Sequence, residues 1–394
     1  MSTGADARIP RARFLPLYAA GFVTAFGAHS IAASLAGYTE AEHTSLLTLG
    51  LLLAVYDGAE VLLKPVFGTL ADRVGARPVL LGGLVAFALA SAAFVLAGSP
   101  GLIGLARFGQ GAAAAAFSPA AGAMLARLTP ATAHGRAYGS YGAWKGLGYT
   151  VGPVLGGVLI AVGGYRLLFS TLAVLAALVA GWALVMVPAV EVLPKKRQTV
   201  VDLARRLTGG SFLRPTAALA GATAALAVGV GFLPAIGAGH GLGPLATGAV
   251  VSVLAATAAL IQPRVGRARD AGRLRDRAGM TLGLLLTAAG IAVATVVPGL
   301  GGILLAAVTI GAGTGLITPL GFAHLAQSSP PERLGQTMGS AEIGRELGDA
   351  GGPLLVGAVA TALTLNAGML AISLVLAALA VLVGAPRSRR PAEA

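Results

Sequence analysis

Apolar residues run along this chain in stretches of about twenty, the length a helix needs to cross hydrocarbon, separated by short polar or basic clusters. Sustained hydropathy predicts twelve spans, at 14–37, 45–69, 78–98, 101–127, 136–163, 165–187, 214–236, 243–263, 279–297, 299–325, 334–362 and 366–385. Long helices satisfy every backbone group internally, so the predicted fold class is an all-α membrane protein. Inside the second span the pattern breaks. The stretch "YDGAEVLLKP", residues 56–65, sets Asp57, Glu60 and Lys64 into an otherwise apolar run.

Composition agrees with the pattern. Of 394 residues, 56% are hydrophobic and only 11% charged, far below the roughly one quarter of soluble domains. The net charge of +13 would suit a nucleic-acid binder, but its distribution removes that class. With the predicted spans, 23 of the 28 Lys and Arg fall on one side, from Arg8, Arg11 and Arg13 to Arg387, Arg389 and Arg390, and only Arg166 on the other. Positive residues are retained in the cytoplasm, so both termini are expected there, with a basic inner face turned towards anionic lipids. The longest opposite loop holds Glu40, Glu42 and His43. Residues 1–13 are too short and basic for a cleavable signal, so span 1 reads as a retained helix. The chain has no cysteine, which excludes disulfide and thiol chemistry.

The chain also repeats itself. At a shift of 200, "GRAYGSYGAWKGLGYTVGPVLGG" (135–157) overlies "GQTMGSAEIGRELGDAGGPLLVG" (335–357) with nine of 23 positions identical. At a shift of 198, Pro65, Gly68 and Asp72 overlie Pro263, Gly266 and Asp270. Two pseudo-symmetric six-helix bundles follow, at 1–190 and 212–394, joined by a basic linker at 191–211. An even number of spans in each gives parallel repeats about an axis along the membrane normal, with a substrate site expected between them near the midplane. Within the linker, Val200, Leu203, Ala204 and Leu207 have helical spacing, which fits a short amphipathic helix on the inner surface; a plain charged tether is the alternative.

These residues carry a family resemblance. "GTLADRVGARPVLL" (68–81) resembles the loop between spans 2 and 3 of the major facilitator superfamily, with Ala76 where the family usually has a basic residue. "RFGQGAAAA" (107–115) resembles its span 4 pattern, and "GYTVGPVLGG" (148–157) its span 5 motif in drug:proton antiporters. The resemblance covers the whole chain and implies the major facilitator fold, transport driven by a proton gradient with no cofactor, and the plasma membrane of a bacterium. It also implies that Arg107 takes part in proton coupling, and that the span 5 motif, with Gly148, Gly152, Pro153, Gly156 and Gly157, favours exchange over uptake. Glycines every four or five residues let another backbone approach, and Pro153 permits a bend. Asp72 and Arg73, with Gly68 and Arg77, are expected to gate the cytoplasmic side through ion pairs and helix-terminus charges.

Nine ionisable residues fall within the spans: Asp57, Glu60, Lys64, Arg107, Lys145, Glu342, Arg345, Glu346 and Asp349. A charge at the bilayer centre costs about 3 kcal/mol or more, so each should face protein or water, usually with a partner. Asp57, Glu60 and Lys64 share one helix face, and Lys64 lies about 12 Å deep counted from Asp72. Glu342, Arg345, Glu346 and Asp349 share a face of span 11, and Lys145 and Arg345 are repeat-equivalent. Structural pairing of Glu60 with Lys64 and of Arg345 with Asp349 stands beside a functional reading. In that reading Asp57 is the first candidate for a carboxyl that takes and releases a proton, with Glu60, Glu342 and Glu346 as competitors. Of 24 Arg and four Lys, the two lysines Lys64 and Lys145 are intramembrane, where a lysine can lose its proton and an arginine cannot.

The candidate substrate groups are Asp57, Glu60, Lys64, Gln110, Trp144, Lys145, Arg345, Asp349 and His29. His29 and His324 lie on helices that line the cavity in the resembled family, although a lone His is more often a packing residue. No metal-ligand spacing, phosphate-binding glycine loop or nucleophile elbow occurs, which leaves an ATP-driven pump or a membrane enzyme without support. The expectation is a monomeric secondary transporter exporting a small molecule, either polar or drug-like, against protons. An importer or facilitator and a non-transporting sensor are the alternatives.

Overall fold

A computed structural model describes residues 14–41, 46–96, 99–194 and 199–385. The basic residues Arg8, Arg11, Arg13, Lys195, Lys196, Arg197, Arg387, Arg389 and Arg390, and the loop residues Glu42 and His43, lie outside the described residues. The helices are α1 Leu15–Ala41, α2 Leu46–Val74, α3 Ala76–Leu96, α4 Pro100–Leu128, α5 His134–Met186, α6 Val200–Thr208, α7 Gly210–Gly239, α8 Pro244–Asp270, α9 Asp276–Val296, α10 Gly299–Ser328, α11 Leu334–Ala362 and α12 Leu365–Gly384. Among the described residues no strand occurs.

α5 supplies two spans, because Gly163 and Gly164 leave helical geometry within it and Gly164 takes a φ of 68°, a left-handed conformation that favours glycine. Twelve crossings result, matching the hydropathy reading. Seven of the described helices are apolar and long enough to cross a membrane on composition alone. The charge-bearing α2, α4 and α11 are not among them. α2 and α8 run on beyond their apolar stretches, to Val74 and Asp270, and so carry Asp72 and Asp270 to the basic end. In the linker, Thr199 and Asp202 form a reciprocal capping box that starts α6.

Packing follows the repeat. α5, with its two spans, lies against α1 and α3, and its counterparts α11 and α12 lie against α7 and α9; α4 lies against α2 and α3, and α10 against α8 and α9. The two halves join mainly through two helix pairs, α2 with α11 and α5 with α8. Lipid tails are as apolar as leucine, so close packing of small residues rather than water exclusion holds such pairs. At the α2–α11 crossing a side-chain carbon on Gly68 would collide with the Gly335 carbonyl oxygen, and one on Gly339 with the carbonyl of Lys64. At α5–α8, carbons on Gly135 and Gly139 would collide with the carbonyls of Gly266 and Gln262. Both crossings lie towards the basic end, which is therefore shut.

Candidate functional site

The helical register of α2 puts Asp57, Glu60 and Lys64 on the face turned to α11. Lys64 is 1% exposed and is the hub. Its Nζ bonds Glu60 on its own helix, Glu346 Oε1 of α11 at 2.5 Å, and approaches Glu342 Oε2 at 3.5 Å. Arg345 Nη1 holds both oxygens of Glu342, at 3.2 and 3.1 Å, while its guanidinium lies 5.7 Å from the Phe322 ring. The i, i+4 pair Glu60–Lys64 is thus formed, whereas Arg345 turns to Glu342 at i−3 rather than to Asp349. With Glu342 neutralised by Arg345, Glu60 and Glu346 share one ammonium between two halves of the protein. Removing one partner from a buried ionic group costs about 3–5 kcal/mol.

Above this hub the polar groups are open. Asp57, Asp349 and His29 are exposed, while Glu342 and Lys64 are buried. Asp57 and Asp349 have no hydrogen bond or ion pair among the described residues, and each lies within electrostatic reach of Glu346. Lys145 also has no carboxylate within ion-pair distance there; its ammonium sits 5.8 Å from the Tyr149 ring centre, and the His29 ring lies tilted against the same tyrosine with centroids 4.2 Å apart. His29 Nδ1 is tied to the Ala25 carbonyl at 3.2 Å. Lys145 lies within electrostatic reach of both Glu342 and Arg345.

Other expected site residues make contacts of their own. Arg107 is buried, its guanidinium 4.4 Å from the Tyr56 ring centre and its Nε donating to the Leu52 carbonyl at 3.4 Å. Gln110 is fully buried and donates to Ser91 Oγ at 2.9 Å, a bond between α4 and α3 away from the chamber. Trp144 shares the helix face of Gly148 and Gly152 and sets its edge on Phe22 of α1. His324 does not line the chamber: its Nδ1 meets Asp276 Oδ2 at 3.1 Å near the basic end, where Arg269 Nε also holds Asp276 at 2.6 Å.

The basic end is latched by carboxylates on helix N-termini. Asp72 accepts from the backbone N–H groups of Gly335 and Gln336, both at 2.8 Å, at the start of α11. Such a terminus offers unpaired N–H groups and a partial positive charge, so a carboxylate is well placed there. Arg127, 3.8 Å away, is the guanidinium beside Asp72, whereas Arg73 points to the exterior. Arg77 donates to the carbonyls of Leu184 and Val187 at the end of α5. Asp270 repeats the latch on Gly135 and Arg136, both at 2.9 Å. Its match to Asp72 in the repeat was the signal that could have given it this role. Gly148, Gly152 and Gly156 meet the α1 backbone and side chains between Phe22 and Ser30, while Gly157 faces open space and Pro153 the exterior. Among the described residues no three His, Cys, Asp or Glu side chains gather as a metal site.

Two helical bundles that face each other across a buried ionic hub with exposed charges above it, and that are latched by carboxylates at the basic end, have the architecture of a multi-pass membrane transporter. The model of the Major Facilitator Superfamily matches residues 17–273 and 216–394, and the chain belongs to that superfamily. It is similar to a class H tetracycline resistance protein of Pasteurella multocida, 34% identical over 28% of this chain and 27% of that protein. It is also similar to the inner membrane transport protein YajR of Escherichia coli, 30% identical over 42% of this chain and 34% of that one. The matched stretches span about a third or less of these curated relatives. Among solved structures, the human organic anion transporter MFSD10 superposes with a TM-score of 0.78 at 18% identity, covering 95% of this chain and 99% of that one. The Escherichia coli fucose:proton symporter FucP gives 0.79 at 14% identity, over 96% and 98%. At these identities the structural likeness speaks for the fold alone.

Proposed function

We propose that this transporter exports a small polar or drug-like molecule from a bacterial cytoplasm in exchange for protons, by alternating access. Both termini then lie in the cytoplasm, and the described state is closed to the cytoplasm and open outward. One observation carries the reading: the buried Lys64 ammonium is shared between Glu60 of α2 and Glu346 of α11, so one ionic group ties the two halves together. A proton on Glu346 neutralises that carboxylate, weakens its hold on Lys64 and frees α11 from α2. A ligand can shift a conformational equilibrium only through differential binding to the two states, and a proton taken here binds the state in which the tie is broken. Glu60 is the second acceptor, and Glu342 is paired with Arg345 on its own helix. The likeness of residues 148–157 to the antiporter motif, and relatives named for tetracycline resistance, support export. The basic linker helix α6 rests on anionic headgroups, and the working unit is a monomer.

The test uses inside-out vesicles with an acidic interior and a pH dye. Cationic, zwitterionic and anionic compounds are added to the parent and to Glu346→Gln, Glu60→Gln and Asp57→Asn. Compound-specific proton efflux is expected in the parent and lost in Glu346→Gln. Labelled compound that crosses without moving protons would replace antiport with facilitated transport.

A further inference from the structure

The paired and unpaired charges of the chamber separate cleanly, and the separation describes a ligand. Lys64 and Arg345 engage Glu60, Glu342 and Glu346. Left over on the α2 and α11 walls are Asp57 and Asp349, both exposed, without a partner among the described residues and within electrostatic reach of each other. Left over on the α5 wall is Lys145, whose ammonium lies 5.8 Å from the Tyr149 ring centre, has no ion pair among the described residues, and stands within electrostatic reach of Glu342 and Arg345. Two further donors end in the same region without a partner among the described residues: Arg107 Nη1, on a side chain 2% exposed, and the Tyr141 hydroxyl. Arg107 acts electrostatically on Asp57 and His29, and Tyr141 on Lys145, which places both at the chamber wall. Intramembrane charges left without partners are expensive unless water or a ligand meets them.

We infer that the chamber binds a zwitterion, with its cationic group between Asp57 and Asp349 and its anionic group on Lys145 beside Arg345. This deepens the transport reading and rests on it for the identity of the site. A lone cation would leave Lys145 without an ion-pair partner, and a lone anion would leave the two aspartates facing each other without one. A zwitterion relieves both.

Binding is tested at equilibrium on the full chain in nanodiscs, with no gradient. The probes are ω-amino acids of three to six carbons, their methyl esters, which are cations only, and their N-acetyl derivatives, which are anions only. One chain length should bind about tenfold or more tighter as the zwitterion than as either derivative, the size expected when one charge-assisted contact is lost. Lys145→Gln should bring the zwitterion down to its ester, Asp57→Asn with Asp349→Asn down to its N-acetyl form, and Lys145→Arg should retain it. An ester or an N-acetyl derivative binding as tightly as the parent compound overturns the inference, as does a series in which nothing binds. The vesicle assay is independent. Zwitterion binding without proton movement removes antiport alone, while proton efflux driven only by a singly charged compound removes the zwitterion alone.

Discussion

The two seams that join the halves occupy equivalent places in the repeat, and they differ in one respect. Both cross on glycine, Gly68 against Gly335 and Gly266 against Gly135, and both end in an aspartate on the N-terminus of the facing helix. Their middles diverge. Where the α2–α11 seam has Asp57, Glu60 and Lys64 opposite Glu342 and Glu346, the α5–α8 seam has Ala255, Ala258 and Gln262 opposite Gly142 and Gly146. In the proposed exchange cycle, the symmetric parts would form a closure that both seams make and break together, and the asymmetric part is where a proton or a substrate would act on one seam alone. The neutral seam would then be a passive pivot and the charged seam the switch.

The largest effect should come from removing the hub. Lys64→Met leaves Glu60 and Glu346 facing each other without their cation and should destabilise the protein by about 3–5 kcal/mol. Gln262→Met, at the mirror position with an amide oxygen that has no partner among the described residues, should cost about 1 kcal/mol or less. Denaturant midpoints of the two purified variants check this, and adding Glu60→Gln and Glu346→Gln to Lys64→Met should recover most of the loss. Equal losses at Lys64 and Gln262 would break the comparison.

The second effect should be equal on the two sides. Gly68→Val and Gly266→Val each push a side chain into a facing carbonyl, and overpacking of this kind costs about 1–3 kcal/mol. Each should open the basic end. The chain has no cysteine, so Ala71→Cys, at a site 1% exposed, is a clean reporter. Thiol labelling should speed up in both backgrounds, whereas acceleration in one alone would mean that the seams do not close together.

Much of this was legible in the sequence because it rests on periodicity. Apolar run length gave the spans, and self-similarity gave the pairing of α2 with α8 and of α5 with α11. Helical spacing put Asp57, Glu60 and Lys64 on one face. What it could not supply is which face meets which. Arg345 could reach Glu342 or Asp349 with similar ease along its own helix, and Lys64 crosses to a residue 282 positions away. Gln110 read as a substrate group, yet its amide is taken by Ser91 of α3, and one step along a helix turns Trp144 about 100° away from Lys145. His324 likewise looked like a cavity residue until the bend of the chain brought Asp276 and Arg269 to it.

The smallest effects sharpen the comparison at the latches. Asp72→Asn and Asp270→Asn each keep an oxygen for one backbone N–H but lose the charge and the second acceptor, a change of about 1–2 kcal/mol. The mirrored geometry predicts matched losses, and matched gains in labelling at Ala71→Cys. Within the Asp-Arg pair of the span 2–3 loop, the arginine should matter least. Arg73 is exposed and ties nothing across the seam, so Arg73→Ala should stay within about 0.5 kcal/mol of the parent. Arg127 instead donates to the carbonyls of Glu191 and Pro331, bridging the linker to the start of α11, and it faces Asp72. Arg127→Ala should therefore open the basic end measurably where Arg73→Ala does not. The reverse order would move the cation of the latch back to Arg73, where adjacency in sequence first suggested it.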